Sequence, residues 1–313
     1  MALPPDTRVM PMSDEAIAEA ARLILDGQPV AVPTETVYGL AADATNAEAV
    51  ARIYAAKGRP SFNPLIVHVP DLAAAEIVGE FDDKARALAK EYWPGPLTLV
   101  VPLREGAPIA SIVTAGLSTI ALRVPAHRAM QALLKACGRP LAAPSANASG
   151  LISPTRASHV VASLGGRIPL VIDGGATERG IESTIVAATG GPLRLLRRGP
   201  IDIEAPEASD KIEAPGQLAS HYAPAKPLRL DATEAEEGEF LIGFGPIHGN
   251  VSLSETGDPI EAAARLFDLL HQADAAPHPR IAIAPIPGNG IAAAIRDRLK
   301  RAAAPRKKSV PSN

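Results

Sequence analysis

The chain has 313 residues and a formal net charge of −3, from 31 Lys and Arg against 34 Asp and Glu, which excludes a polyelectrolyte and any direct, stable DNA binding driven by charge. A single core stops growing near ~250–300 residues, so this length with 47% hydrophobic residues predicts two domains. The 31 Pro and 25 Gly stay below the roughly 25–30% share typical of low-complexity disorder, and 3% aromatic content leaves little material for base-stacking platforms.

Ser13 caps a helix in which Ala16, Ile17, Ala20, Leu23 and Ile24 recur at helical spacing until Gly27. Short apolar runs follow as strand candidates at 29–33, 65–69, 97–103, 120–124, 141–143, 170–172, 184–187 and 193–196. Helical patterns lie between several of them, at 47–56, 82–93, 126–136 and 156–164. This order predicts an α/β fold, an open twisted mixed sheet with flanking helices, over 13–204. Over 205–227 the composition turns to Pro, Ala, Glu and Gly without periodicity, so a linker is expected there. Strands at 240–243 and 280–284 and helices at 259–273 and 290–303 then predict a second, smaller α/β domain over 228–304. Arg306, Lys307 and Lys308 lie among Pro and Ser in the last stretch, 305–313, which reads as a frayed, solvated tail.

The one cysteine, Cys137, has no partner for a disulfide, zinc or redox motif, so a reducing, cytoplasmic setting is expected. Residues 1–15 lack the basic head and apolar run of a secretory signal. The longest uncharged stretches, such as 106–122, contain Pro, Gly, Ser and Thr and fall short of the ~20 apolar residues of a span, so no membrane association is expected.

The polar groups that could carry chemistry cluster where apolar runs end. Thr34, Glu35, Thr36 and Tyr38 follow the strand at 29–33, a place where open α/β sheets bind ligands, although a simple polar turn would read the same. Lys57 and Arg59 close the helix at 47–56. Pro60 and Pro64 stiffen that loop, a placement suited to a triphosphate, while dipole partnership is the plainer alternative. His68 ends the next strand and Trp93 sits in a Pro-Gly-Pro turn suited to packing. Arg123 lies in an apolar strand, where it needs either a bound carboxylate or an internal Asp or Glu. The small polar run at 143–150 and Ser153-Pro154-Thr155 form an anion-binding concavity or a capped loop. Asp173, Glu182, Ser183 and Arg197 repeat the theme. Taken together, Lys57, Arg59, Arg123 and Arg197 suit a polyanionic substrate, of which ATP is the commonest.

No P-loop, HExxH or GxSxG occurs, and the seven His show no zinc spacing. The GxGxxA-like run at 288–293 is interrupted by Pro285 and Pro287 just upstream and is a decoy. Covalent catalysis has no obvious nucleophile.

The strings PTETVYGL at 33–40, KGRP at 57–60, NPLIVH at 63–68, WPGPLT at 93–98, APSAN at 143–147, SPT at 153–155 and EST at 182–184 resemble the YrdC-like family in order and spacing over 13–200. SHYAP at 220–224, with the small domain after it, resembles the family's long, two-domain form and extends the resemblance to about 304. The resemblance implies an enzyme that joins L-threonine, bicarbonate and ATP, with Mg2+, into L-threonylcarbamoyl-adenylate and releases pyrophosphate. Other, tRNA-modifying proteins then accept the adenylate and modify the adenosine beside the anticodon. By motif, Arg59, Asn63, Thr119, Ser145, Ser153 and Arg197 are expected to hold ATP, with Lys57 in support and Tyr222 closing over it. Thr36, His68, Arg123, the backbone of Ala143, and Ser183 are expected to hold threonine. Lys57 and Arg59 are the expected catalytic pair, offsetting phosphate charge; no metal ligands are implied.

The sequence departs from the family pattern at Phe62, where an acid is frequent, and at 217–220, which lacks the usual Lys or Arg. Two other readings are an RNA-binding translation or ribosome-associated factor without turnover, disfavoured by the charge and the aromatic content, and carbamoyl transfer to a hydrogenase maturation partner, which needs modules not found in this sequence.

Overall fold

The computed structural model describes residues 6–60, 62–207, 213–215 and 221–305. In chain order the first part contains β1 (Arg8–Pro11), α1 (Asp14–Leu25), β2 (Val30–Pro33), β3 (Tyr38–Asp43), α2 (Ala47–Lys57), β4 (Ile66–His68), α3 (Leu72–Val78) and α4 (Asp83–Tyr92). It continues with β5 (Leu97–Pro102), α5 (Ser111–Thr114), β6 (Thr119–Arg123), α6 (Arg128–Cys137), β7 (Leu141–Ala142), α7 (Ala157–Leu164), β8 (Leu170–Asp173), β9 (Thr184–Ala187) and β10 (Arg194–Arg197). The C-terminal domain holds β11 (Leu228–Arg229), β12 (Glu239–Gly243), β13 (Val251–Ser252), α8 (Pro259–Ala275), β14 (Arg280–Ile283) and α9 (Ile291–Ala303).

The larger sheet has ten strands in the order β1-β8-β2-β3-β7-β4-β6-β5-β9-β10, parallel and antiparallel pairs mixed. The smaller runs β11-β14-β12-β13, all parallel. The mixed α/β architecture and the second α/β domain therefore match the expectation. Helix ends follow their local chemistry: Ser13 accepts from Ala16 N to start α1, Asn46 caps α2, and Gly58, at φ 59°, turns the chain out of α2 in the left-handed region.

Elements that the hydropathy pattern did not expose are β1, β3, β11, β13, α3 and α5. The Tyr38–Asp43 strand is buried on both faces and shows no alternation, so it reads as a polar motif followed by small residues. Strand β1 is a mostly exposed edge that exists through parallel pairing with β8. No described helix is long and apolar enough to cross a membrane.

The helices cover the large sheet with two apolar layers, one built on Leu40, Ile53, Leu99 and Leu122, the other on Ile24, Val32, Leu133 and Ile172. The C-terminal core also takes in Val37, Ile152 and Ile181 from loops of the larger part and Tyr222 from the expected linker, so the two domains share buried surface. Of the expected linker, residues 208–212 and 216–220 lie outside the described residues, as do Arg306, Lys307 and Lys308 of the expected tail.

Candidate active site

The hollow is built on a face of the large sheet. Strands β4 and β6 are parallel with His68 opposite Arg123, and alternation puts Ile66 and His68 on one side. Strand β7 runs antiparallel to β4, and beyond it Ala143 N donates to Ile66 O while Gly39 bridges to Ser145. A register shift between Leu195 and Arg197 in β10 breaks the alternation. Leu196 joins the apolar cluster of Ile66, Val100, Ala121 and Ile185, and the next residue, Arg197, lines the hollow beside it. Gly199 permits the close return of the chain, because a Cβ there would lie 2.3 Å from Thr184 N.

The hollow is lined by Thr34, Thr36, Arg59, His68, Arg123, Ala143, Ser145, Glu182, Arg197, His221 and Tyr222, among others. Of the four cations foreseen from sequence, Arg59, Arg123 and Arg197 line it, and Lys57 does not. Arg59 donates from Nε to Asn63 O (3.3 Å) and from Nη2 to Pro64 O (3.0 Å). Arg197 donates to Ser183 O and Ser183 Oγ, both at 3.0 Å, and to Pro215 O at 3.4 Å. Among the described residues neither guanidinium has a carboxylate within 4.0 Å. Burial lowers both pKa values, that of Arg59 to about 10. Two desolvated cations held only by carbonyls and a hydroxyl are a site that an anion completes.

Lys57 is buried behind the hollow rather than on its wall. Its Nζ donates to Ser145 O at 2.5 Å and to Asn147 O, so it pins the turn that carries Ser145, and burial moves its pKa well down. Arg123 has an internal partner: Nη2 meets Glu35 Oε1 at 2.6 Å, Nη1 donates to Thr36 Oγ1 at 3.0 Å, and Nε donates to Gly95 O at 3.2 Å. Of the two partners left open by the sequence, the molecule contains the acid. Gly95 supplies its carbonyl from the Trp-Pro-Gly-Pro turn, where a Cβ would strike Tyr92 O at 2.3 Å. Burial pushes His68 down to about 3, leaving a neutral imidazole whose Nδ1 is buried without a hydrogen-bond partner among the described residues.

The remaining expected residues divide. Ser183 sits against Arg197 and also bonds Thr98 Oγ1 at 2.7 Å. Asn63 is buried with both side-chain polar atoms unpaired among the described residues, and Ser153 donates to Glu182. Thr119 opens β6, at the end of that strand opposite Arg123, and is not on the hollow's wall.

His221 and Tyr222, from the stretch expected as a linker, line the hollow next to the C-terminal domain. Tyr222, at φ 65° and 1% exposed, stacks on Phe267 of α8 at 5.6 Å and has a hydroxyl without a partner among the described residues; His221 packs against it edge-on. Arg298 of α9 donates from Nε to Glu182 Oε2 at 2.9 Å and lies 5.4 Å from the Tyr222 ring centroid. From sequence, Glu35 and Glu182 read only as polar groups at strand ends, His221 only as part of the SHYAP string, and Arg298 carries no assignment. A signal did exist for Arg298, which shares a helix face with Ile291, Ile295 and Ala302.

Residues 22–199 match the model of the Sua5, YciO and YrdC proteins, described as telomere recombination, and residues 177–304 match the threonylcarbamoyl-AMP synthase C-terminal domain. A Bacillus subtilis protein named threonylcarbamoyl-AMP synthase is 40% identical over 325 residues, spanning 93% of this chain and 94% of that protein. A Pyrococcus abyssi protein of the same name is 39% identical over 317 residues, spanning 90% and 92%. The crystal structure of P. abyssi Sua5 complexed with L-threonine superposes with a TM-score of 0.87 at 35% identity, covering 95% of this chain and 98% of that one. Escherichia coli YciO, at 21% identity and a TM-score of 0.56, shares the fold over 63% of this chain. The chain belongs to the Sua5/YciO/YrdC family, in the two-domain form that carries the threonylcarbamoyl-AMP synthase C-terminal domain.

Proposed function

We propose that the protein is an L-threonylcarbamoyl-adenylate synthase, joining L-threonine, bicarbonate and ATP and releasing pyrophosphate. The observation that carries this reading is the pair Arg59 and Arg197, buried in one hollow with Thr36, His68, Arg123 and Ser145 and with no carboxylate within 4.0 Å of either among the described residues. Close relatives bearing that name over nearly the whole chain support it.

In this reading the phosphates lie against Arg59 and Arg197, while Lys57 adds charge from behind the Ser145 turn. Asn63, Ser145 and Ser153 surround the nucleotide, and Tyr222 covers it. An extended nucleotide must run about 13 Å along β6 from Arg123 to meet Thr119. Threonine lies over Thr36, His68, the Ala143 backbone, Arg123 and Ser183. Glu35 already neutralises much of Arg123, so the second N–H of each terminal nitrogen is what remains for the substrate carboxylate.

The amine of threonine attacks bicarbonate, losing its proton as water departs, and a carbamate forms. A carbamate oxygen then attacks the α-phosphate in line, and the bond to pyrophosphate breaks. No enzyme nucleophile takes part. Neutral His68 accepts a hydrogen bond from substrate, and the guanidiniums offset charge growing on the leaving group. The described residues do not fit a resident magnesium site: none form a cluster of three or more His, Cys, Asp or Glu suited to a metal, and Glu182 on the wall is engaged by Arg298 and Ser153. A Mg2+ ion brought with ATP would offset phosphate charge, as the guanidiniums of Arg59 and Arg197 do. The adenylate passes to tRNA-modifying proteins, and the setting is the cytoplasm.

The RNA-binding alternative is weak because Lys57, Arg59, Arg123 and Arg197 are each 8% exposed or less and cannot reach a polymer backbone. The test is pyrophosphate release with threonine, bicarbonate and ATP omitted in turn. Full activity is expected with all three, and release without threonine at the same rate overturns the reading.

A further inference from the structure

The acid on the hollow's wall, Glu182, is in the wrong place for an anionic substrate unless its charge is answered. It is buried, its Oε1 accepts from Ser153 Oγ, and its Oε2 accepts from Nε of Arg298 at 2.9 Å. Arg298 comes from the other domain, 116 positions away, and is fully buried. It also bonds Asp297 at 3.0 Å, and its Nη2 has no partner among the described residues. Arg197, which has no carboxylate within 4.0 Å among the described residues, lies near enough to both Glu182 and Arg298 to feel their charge.

Resting on the ATP reading above, we propose that Arg298 is a positioning residue: it holds Glu182 in a neutral pair and so keeps Arg197 available for the phosphates of ATP. Without Arg298 the Glu182 carboxylate has one unanswered charge inside the hollow. It then either repels the triphosphate or turns to Arg197 and cancels it. Both outcomes weaken ATP binding through the charge of Glu182, so removing that charge must undo the loss. The C-terminal domain would thereby contribute to nucleotide affinity without touching the nucleotide.

The experiment is direct titration of ATP into the full-length chain, which needs no turnover, with thermal unfolding as the check on folding. Arg298→Met is expected to weaken ATP binding by about tenfold or more, Arg298→Lys by less, and the double variant Arg298→Met with Glu182→Gln to return close to the wild-type affinity. The double variant leaves no unpaired charge, so it carries the test even where Arg298→Met alone does not fold. Wild-type affinity in a folded Arg298→Met chain overturns the proposal, as does a folded double variant that binds ATP no better than Arg298→Met or fails to bind it. Wild-type protein that binds ATP without threonine-dependent pyrophosphate release overturns the functional reading instead.

Discussion

His159 of α7 and His271 of α8 stack face to face across the domain seam, with ring centroids 3.9 Å apart and planes 20° from parallel. The pair is tied into the site, since His271 Nε2 lies 3.1 Å from Ser153 O. Asp268, which accepts from Arg156 at 2.7 Å, sits 3.4 Å from His159 Nε2. Burial, with the neighbouring ring second, brings His159 down to about 4, and burial also lowers His271.

A depressed histidine pKa makes the folded state lose stability in acid. The unfolded chain binds the proton from about pH 6.5 downward, while folded His159 resists until about 4, so its contribution is complete above 6.5 and gone near 4. At about 1.4 kcal/mol per pH unit, discounted for partial exposure, the loss is about 2 kcal/mol. Denaturation midpoints measured from pH 7.5 to 4 should fall across that window, and His159→Asn should flatten the slope; an unchanged slope would count against the stack as its source.

Removing an unpaired buried cation should separate stability from binding. Arg59→Met abolishes a desolvated charge that no acid answers, so its melting temperature should equal or exceed that of the wild type. A charge-assisted hydrogen bond contributes about 1.5–3 kcal/mol, so ATP affinity should drop by roughly 10- to 150-fold. A destabilised variant with intact ATP binding would show that Arg59 serves the fold.

The Arg123–Glu35 pair behaves oppositely. Glu35→Ala leaves a guanidinium buried beside Thr36 and Gly95 with no acid, and should cost about 3–5 kcal/mol in a denaturant titration. A cost below ~1 kcal/mol, the scale of an exposed pair, would contradict the pairing.

Tyr222 offers a gentler probe. Its hydroxyl has no partner among the described residues, so Tyr222→Phe should melt like the wild type. If the hydroxyl faces the nucleotide, ATP affinity should fall about 2- to 12-fold, the worth of one neutral hydrogen bond at about 0.5–1.5 kcal/mol. Unaltered affinity would remove the hydroxyl from the site.

Much of the site was legible before any coordinates. Lys57, Arg59, His68, Arg123, Ser145 and Arg197 stand in short strings whose chemistry is local: a helix ended by Gly58, a loop stiffened by Pro60 and Pro64, a cation inside an apolar strand. Backbone propensity and side-chain polarity act over a few positions, so the chain itself determines that these groups sit at element ends and must be answered. The α/β order of the two domains is likewise written in hydropathic runs. What answers each group is a different matter. Glu35 reaches Arg123 across 88 positions, and Glu182 reaches Arg298 across 116. The shift in β10 that brings Arg197 onto the wall depends on its pairing with β9, and Lys57 lies behind the Ser145 turn through a bond spanning 88 positions. Those partnerships depend on strand order and domain docking, in which many weak contacts act together. Only the tertiary structure could decide that Arg123 is already paired while Arg59 and Arg197 have no carboxylate within 4.0 Å among the described residues.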